Sequence, residues 1–382
     1  MGSFELPSGF STSVFNVGGT RLALIESTPS ASAWVLGTEN RAAAPSVVRG
    51  RKLVRGGHSV GAVVVTPGIA NALCAESEER DLRLATLVAR LTGRSPSEVL
   101  TAGTGVLGVD LPIEALERAA SSIRESEVSG ARAFARAICS GDGLPKWARR
   151  TISIDGTERS IVVIAKGSRR VAPELATLLV FVMTDAALTR EALRGALEFA
   201  SETSLQQLSI DGEPSTNDLV VALANGQGEP IHPQDPEARV FFGALKEAFD
   251  EISIQVAREA AGRLRALVVE VEGAQAFANA RAIALSLAAS RSVGASLRQA
   301  HAGVALISSL GAASAMIDEA LDVSLVEVRV SGRVVFAGGG PRGRPPRAQG
   351  DEVVVSVRLG DGPGRGRALG IELLRETSSR RK

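Results

Sequence analysis

The sequence predicts an α/β protein in which sheets are layered with helices. Two observations carry this: short β-branched runs recur along the chain, and the Ala-, Leu-, Glu- and Arg-rich stretches between them do not alternate as regular βαβ units. Regular alternation would favour a doubly wound nucleotide-binding sheet. The 382 residues are enough for a large core divided into two or three domains or lobes.

Taken in order, the candidate strands are Arg21 to Ile25, Val60 to Val65, Ile161 to Ala165, Leu175 to Met183, Leu267 to Val271, Val323 to Val330 and Val353 to Val357. Ser95-Pro96-Ser97-Glu98 reads as a capping box with Pro at the first helical position, so a helix is expected to start there. Further helices are expected from about Ile113 to Ala137, after Thr189, and from Glu237 to about Arg263. Gly338 to Gly350 is rich in Gly, Pro and Arg and reads as a flexible hairpin loop, since no strand-to-helix context frames an anion cradle. Gly362 to Gly366 gives an equally weak signal, and Ser378 to Lys382 reads as a solvated tail.

Composition excludes several classes. Lys plus Arg number 43 against 42 for Asp plus Glu, so no strongly basic face is implied and nucleic acid is not an expected partner. Aromatics make up 3% of residues and Tyr is absent, which argues against a base-stacking platform. His58, His232 and His301 show no ligand spacing, and Cys74 and Cys139 form no CxxC pair, so no metal site and reduced thiols are expected. The first residues carry no signal-peptide pattern and no apolar run approaches the ~20 residues that span a bilayer, so a cytoplasmic protein without a membrane partner is expected.

On its own, Thr177 reads as a β-branched residue in a buried strand. A set of ordered matches changes that reading. Lys166-Gly167-Ser168, Ala172-Pro173, Ala176-Thr177-Leu178-Leu179, Phe181 and Thr184-Asp185-Ala186 resemble the self-cleavage segment of the ornithine acetyltransferase family of arginine biosynthesis. Upstream, Ala43 to Pro45, Gly68 with Ala70-Asn71-Ala72, Thr104 to Gly108, and Ala137-Ile138 with Asp142 and Pro145-Lys146 follow in the family's order. Downstream come Ile210-Asp211-Gly212, Ser215-Thr216-Asn217-Asp218 and Leu223 to Gly226. The resemblance runs from about residue 10 to 275 and is faint beyond.

The resemblance implies layered sheets and helices with a smaller C-terminal lobe, about 235–382. It also implies a cut between Ala176 and Thr177 into an α chain of 1–176 and a β chain of 177–382, associated as a heterotetramer. Thr177 would be the nucleophile, Thr104 and Gly105 the oxyanion-hole donors, and Ser140 and Lys166 substrate-binding residues. Scission would uncover the threonine's own α-amino group, which titrates near ~7.7 to 8 and can take the hydroxyl proton at cellular pH. The implied activity is ping-pong transfer of an acyl group from an N-acyl amino acid such as N-acetylornithine to an amine such as glutamate. No cofactor or metal is called for, because the two substrates supply the acyl and amine groups.

This chain departs from the family pattern at Arg169-Arg170, where the family usually has Gly-Met, and at Ala261, where it carries a substrate-binding Glu. Gln299 to Val304 replaces the family's Asp-Pro-Asn-Trp-Gly-Arg block, and Ile371 to Lys382 lacks its C-terminal substrate contacts. Two other functions therefore stand beside transfer: an amide hydrolase on the same scaffold, and an accessory relative without catalysis.

Overall fold

The protein is represented by a computed structural model, which describes residues 4–17, 19–120, 123, 127–139, 143–167, 178–210, 214–317, 319–347 and 349–373. The chain divides into two units, Met1–Leu205 with Glu213–Ile252, and Gln206–Gly212 with Ser253–Lys382.

In the first unit, β1 (Phe10–Val17) pairs antiparallel with the early part of the 18-residue β2 (Thr20–Gly37). Along its length, β2 has two further neighbours. Residues 23–26 pair with β3 (Val60–Ile69), the register shifts between Glu26 and Ala31, and residues 32–37 pair with β9 (Leu219–Ala224). The strand order is β4-β3-β2-β9-β8-β7-β6, with β4 (Val99–Val106), β6 (Lys146–Ile154), β7 (Thr157–Lys166) and β8 (Leu179–Thr184). One core cluster joins Ile25, Val63, Val65 and Leu100 of the β2–β4 half to Ile164, Leu179, Phe181 and Val221 of the β7–β9 half. Residues remote in strand order thus share a single interior, because two apolar faces are removed from water by covering each other.

Helices cover what remains. The opposite face of the β1–β4 half, including Leu22, Leu24 and Val64, packs with Leu84, Leu87 and Val88 of α2 (Ser77–Thr92) and with Ile113 and Leu116 of α3 (Ile113–Arg118). Between β2 and β3 lies α1 (Pro45–Arg55). Thr189 caps α5 (Arg190–Thr203), its hydroxyl accepting the Ala192 N–H at 3.2 Å, as expected of a helix beginning there. The long α6 (Pro236–Ala261) also falls where a helix is expected.

Two expected helices differ. Ser95 and Glu98 do pair, with the Ser95 N–H 3.1 Å from the Glu98 carboxylate, but only one 3-10 turn follows before β4 begins. Val99 to Ala102 are wholly buried in a parallel pairing with β3, and that burial outweighs the local cap. The helix expected from Ile113 to Ala137 is interrupted. A bridge-like β5 (Val128–Ser129) pairs with Ser13 and Val14, and Gly130 at φ 111° precedes α4 (Ala131–Ala137).

The second unit is built on a six-stranded sheet of order β13-β12-β11-β14-β10-β15. Its strands are β10 (Ala266–Gly273), β11 (Glu327–Val330), β12 (Arg333–Ala337), β13 (Gly340–Pro341), β14 (Glu352–Arg358) and β15 (Gly362–Ile371). Leu267, Val269, Val328, Val355 and Ala368 pack with α7 (Phe277–Ala289) and α9 (Ala302–Met316), and α8 (Arg291–Ser296) lies between these helices. The glycine-rich 362–366 stretch is therefore strand. A Cβ on Gly366 would stand 2.4 Å from backbone of Ala280, so its glycines permit close seating of α7. Among the described residues, no helix is long and apolar enough to cross a membrane.

Candidate active site

The parallel strands β3 and β4 run side by side to a common end, with Pro67 opposite Thr104 and Gly68 opposite Gly105. Glycine is required here on steric grounds. A Cβ on Gly103 would lie 2.5 Å from the Ala70 carbonyl oxygen, and one on Gly105 would lie 2.2 Å from the backbone of Gly68. Gly105 also has φ 133°, a conformation that side-chain-bearing residues rarely adopt. The close approach brings the Thr104-Gly105 backbone to the rim of a cleft of about 520 Å³.

Thr104 is 4% exposed and Lys166 2% exposed. The Lys166 ammonium donates to the Thr104 hydroxyl oxygen at 2.9 Å, across the shared interior of the sheet halves. Lys166 ends β7, directly opposite Leu179 at the start of β8. Leu179 lines the same cleft as Gly103, Thr104 and Gly105.

The third wall is the segment Pro214 to Asn217 with Asn40 facing it. The Asn40 amide donates to the Pro214 carbonyl at 2.9 Å, and the Asn217 amide donates to the Ala70 carbonyl at 2.7 Å. Asp218 is fully buried. Its carboxylate accepts the Leu178 N–H at 2.9 Å, the Ser215 hydroxyl at 2.6 Å and the Ser215 N–H at 2.9 Å.

Of the residues expected to carry chemistry, Thr104, Gly105 and Lys166 are brought together. Ala176, Thr177 and Ser140 lie outside the described residues, as do Arg169 and Arg170; the chain is described again from Leu178, next to the cleft. Sequence reading gave no role to Asn40, nor an individual role to Ser215, Asn217 or Asp218, although the last three stand in a motif noted for its resemblance. Nothing in the local pattern of Asn40 would have revealed it. Among the described residues, no group of three or more His, Cys, Asp or Glu side chains is arranged to hold a metal ion. The arrangement offers hydrogen-bond donors along a space that a small molecule could enter, with the Lys166 ammonium and the Asp218 carboxylate bonded to the lining residues Thr104 and Ser215.

The sequence profile described as the ArgJ family matches residues 13–377, and so extends through the second unit. The chain is 36% identical over 357 residues to the arginine biosynthesis bifunctional protein ArgJ of Thermus thermophilus, covering 92% of this chain and 89% of that one. It is 30% identical over 359 residues to the protein of the same name from Bacillus subtilis, covering 92% and 87%. The crystal structure of the ArgJ protein from Bacillus halodurans aligns with a TM-score of 0.45 at 27% identity, over 51% of this chain and 94% of that one.

Proposed function

The chain belongs to the ArgJ family, the family its motifs resemble, and from that premise we propose that it is a self-processing N-acyltransferase with Thr177 as nucleophile. The observation that carries the proposal is the Lys166–Thr104 contact, with Thr104, Gly105 and Leu179, two residues after Thr177, lining one cleft.

In the maturation step, the Thr177 hydroxyl attacks the Ala176 carbonyl carbon. A C–O bond forms, the C–N bond breaks, and the proton lost by oxygen ends on the released amine. Water then hydrolyses the ester, leaving a carboxylate on Ala176 and a free hydroxyl and α-amino group on Thr177. In turnover, that amine takes the hydroxyl proton as oxygen attacks the donor amide, and returns a proton to the departing amine. The acyl-threonine is then attacked by the second amine.

Each tetrahedral intermediate places negative charge on the former carbonyl oxygen, and fixed donors are the largest means of stabilising it. The Gly105 N–H and the Thr104 hydroxyl are assigned that role. With its oxygen accepting from Lys166, the Thr104 hydroxyl has its proton to give, and the nearby ammonium strengthens it as a donor. Lys166 and Ser140 are proposed substrate contacts, Lys166 through its positive charge. The reference substrates are N-acetylornithine and glutamate. The fragments 1–176 and 177–382, the latter carrying the C-terminal lobe, are proposed to stay together in a cytoplasmic heterotetramer. Pairing of β7 with β8 and of β2 with β9 supports this, because both pairs join residues from either side of the cut.

The test begins with purified full-length protein on a denaturing gel and by intact mass. Two fragments meeting between Ala176 and Thr177 are expected, with Thr177→Ala remaining whole; an uncut wild-type chain would overturn the proposal. With N-[14C]acetylornithine, label should appear on added glutamate. Label found only as free acetate would instead assign amide hydrolysis.

A further inference from the structure

Asp218 has no part in the chemistry proposed for Thr177, yet it is fully buried and held by its neighbours through both carboxylate oxygens. Its two carboxylate oxygens receive three donors, and its own carbonyl accepts the Thr38 N–H at 3.0 Å. The next residue completes the arrangement: the Leu219 N–H donates to the Leu178 carbonyl at 2.9 Å. Leu178 is therefore pinned at both its N–H and its C=O.

The residue type follows from the donors. Ser215 N–H, Ser215 O–H and Leu178 N–H all give protons, and only an ionised carboxylate accepts at every lone pair. An asparagine in the same place would turn a donor toward one of them. Burying a charge is costly, so its retention at 0% exposure calls for such a set of donors.

The pinned N–H belongs to the peptide group whose other half comes from residue 177. Leu178 follows residue 177 directly in the chain, so holding the Leu178 N–H and C=O anchors the backbone at the first link behind it. The neighbouring side chain holds the opposite wall. Asn217 donates to the Ala70 carbonyl, and that carbonyl is the group against which Gly103 is packed. Two adjacent residues thus join the chain at Leu178 to the strand end bearing Thr104 and Gly105.

We propose that Asp218 is a positioning residue of the acyl transfer: its carboxylate holds the backbone that carries the nucleophile in register with the Thr104 and Gly105 donors, before the cut and after it. This rests on the reading of Thr177 as nucleophile. Before scission, the grip opposes displacement of the reacting hydroxyl from the Ala176 carbonyl. After scission, residue 177 is a chain end, and the hydrogen bond to Leu178 tethers the residue that follows it.

The test compares wild type, Asp218→Ala and Asp218→Asn as full-length proteins. The rate of fragment appearance is read by intact mass, kcat and KM for N-acetylornithine on the cut fraction, and the folded fraction by thermal melting. Misplacement on the ångström scale costs up to about 100-fold in rate, so scission and kcat should fall about 10- to 100-fold in Asp218→Ala while KM stays within about threefold. Asp218→Asn, which keeps an acceptor for Leu178, should lie between. Wild-type scission and kcat in either variant would overturn the assignment, as would losses that vanish once corrected for folded fraction. If Asp218→Ala does not fold, the same readings on Asp218→Asn decide. A wild-type chain that never cuts removes the nucleophile reading, and this assignment with it. A wild type that cuts beside variants that cut equally well removes this assignment alone.

Discussion

Lys166 and Thr104 stand 62 positions apart, on strands separated by four others in the sheet order, and their side chains meet at 2.9 Å in the protein interior. Neither is placed by its own neighbours in sequence. Their meeting depends on β2 pairing with β3 along one stretch and with β9 along another, so that the two halves of the sheet share a core.

If the Thr104 hydroxyl is an oxyanion donor, Thr104→Ala should lower kcat about 100- to 1,000-fold with little change in KM, the loss typical of one such donor. Steady-state kinetics on fully cut protein measures this. A KM effect without a kcat effect would place Thr104 in ground-state binding instead.

Gly105→Ala should fail at the level of structure. Its Cβ would lie 2.2 Å from Gly68 backbone at φ 133°, so β3 and β4 would have to separate. Overpacking and backbone strain together suggest a loss of about 2–5 kcal/mol. A melting temperature within a degree of wild type would refute the crowding.

These two positions show what could be read in advance. The strands at 60–65 and 161–165 were legible because consecutive β-branched and apolar residues are what a strand buried on both faces requires, and those at 267–271 and 353–357 because their β-branched residues supply a buried face, with Val353, Val355 and Val357 buried in alternation. The Ser95 box misled because a cap biases only one turn, whereas the following residues are committed to a parallel ladder that sequence does not display. Thr104 and Gly105 were expected at a site only by resemblance, and both line one cleft. The roles of Asn40, Asn217 and Asp218 depend on contacts with distant backbone groups, and no local pattern encodes those.

Asp81 of α2 gives a stability prediction with a definite sign. It is 2% exposed; burial pushes its carboxyl up to about 6, offset in part by Thr101 and by Arg49 at 4.0 Å. A carboxyl raised on folding contributes stability that is full below its unfolded pKa of ~3.9 and is lost as pH rises through the folded value. The window is therefore about pH 4 to 6, and the ionised form costs about 3 kcal/mol above it. Asp81→Asn should melt higher than wild type at pH 7.5 and lose that advantage by pH 4. An advantage that is the same at both values would refute the assignment.

Glu372 in the second unit behaves in the opposite sense. Its side chain is fully buried; burial alone would raise its carboxyl, but paired hydrogen bonds from Arg298 and Arg265 hold it down at about 2. Its contribution is present above the usual glutamate pKa and is lost as pH falls toward 2. Glu372→Gln leaves Arg265, with its side chain 7% exposed, without its charge partner, and should cost about 3 kcal/mol or more in thermal or urea melts at pH 7. An unchanged midpoint would show that the cluster contributes nothing net.

The ladder between β7 and β8 registers Ile161 with Thr184 and Lys166 with Leu179, so residues numbered below 177 are bonded to residues numbered above it. A break at that single peptide link would leave the sheet intact while altering the order of the refolding reaction. A whole chain finds its partners at a rate independent of dilution; two severed pieces must first collide. Heat-denatured mature protein should therefore recover more slowly at nanomolar than at micromolar concentration, whereas the Thr177→Ala chain should recover alike at both.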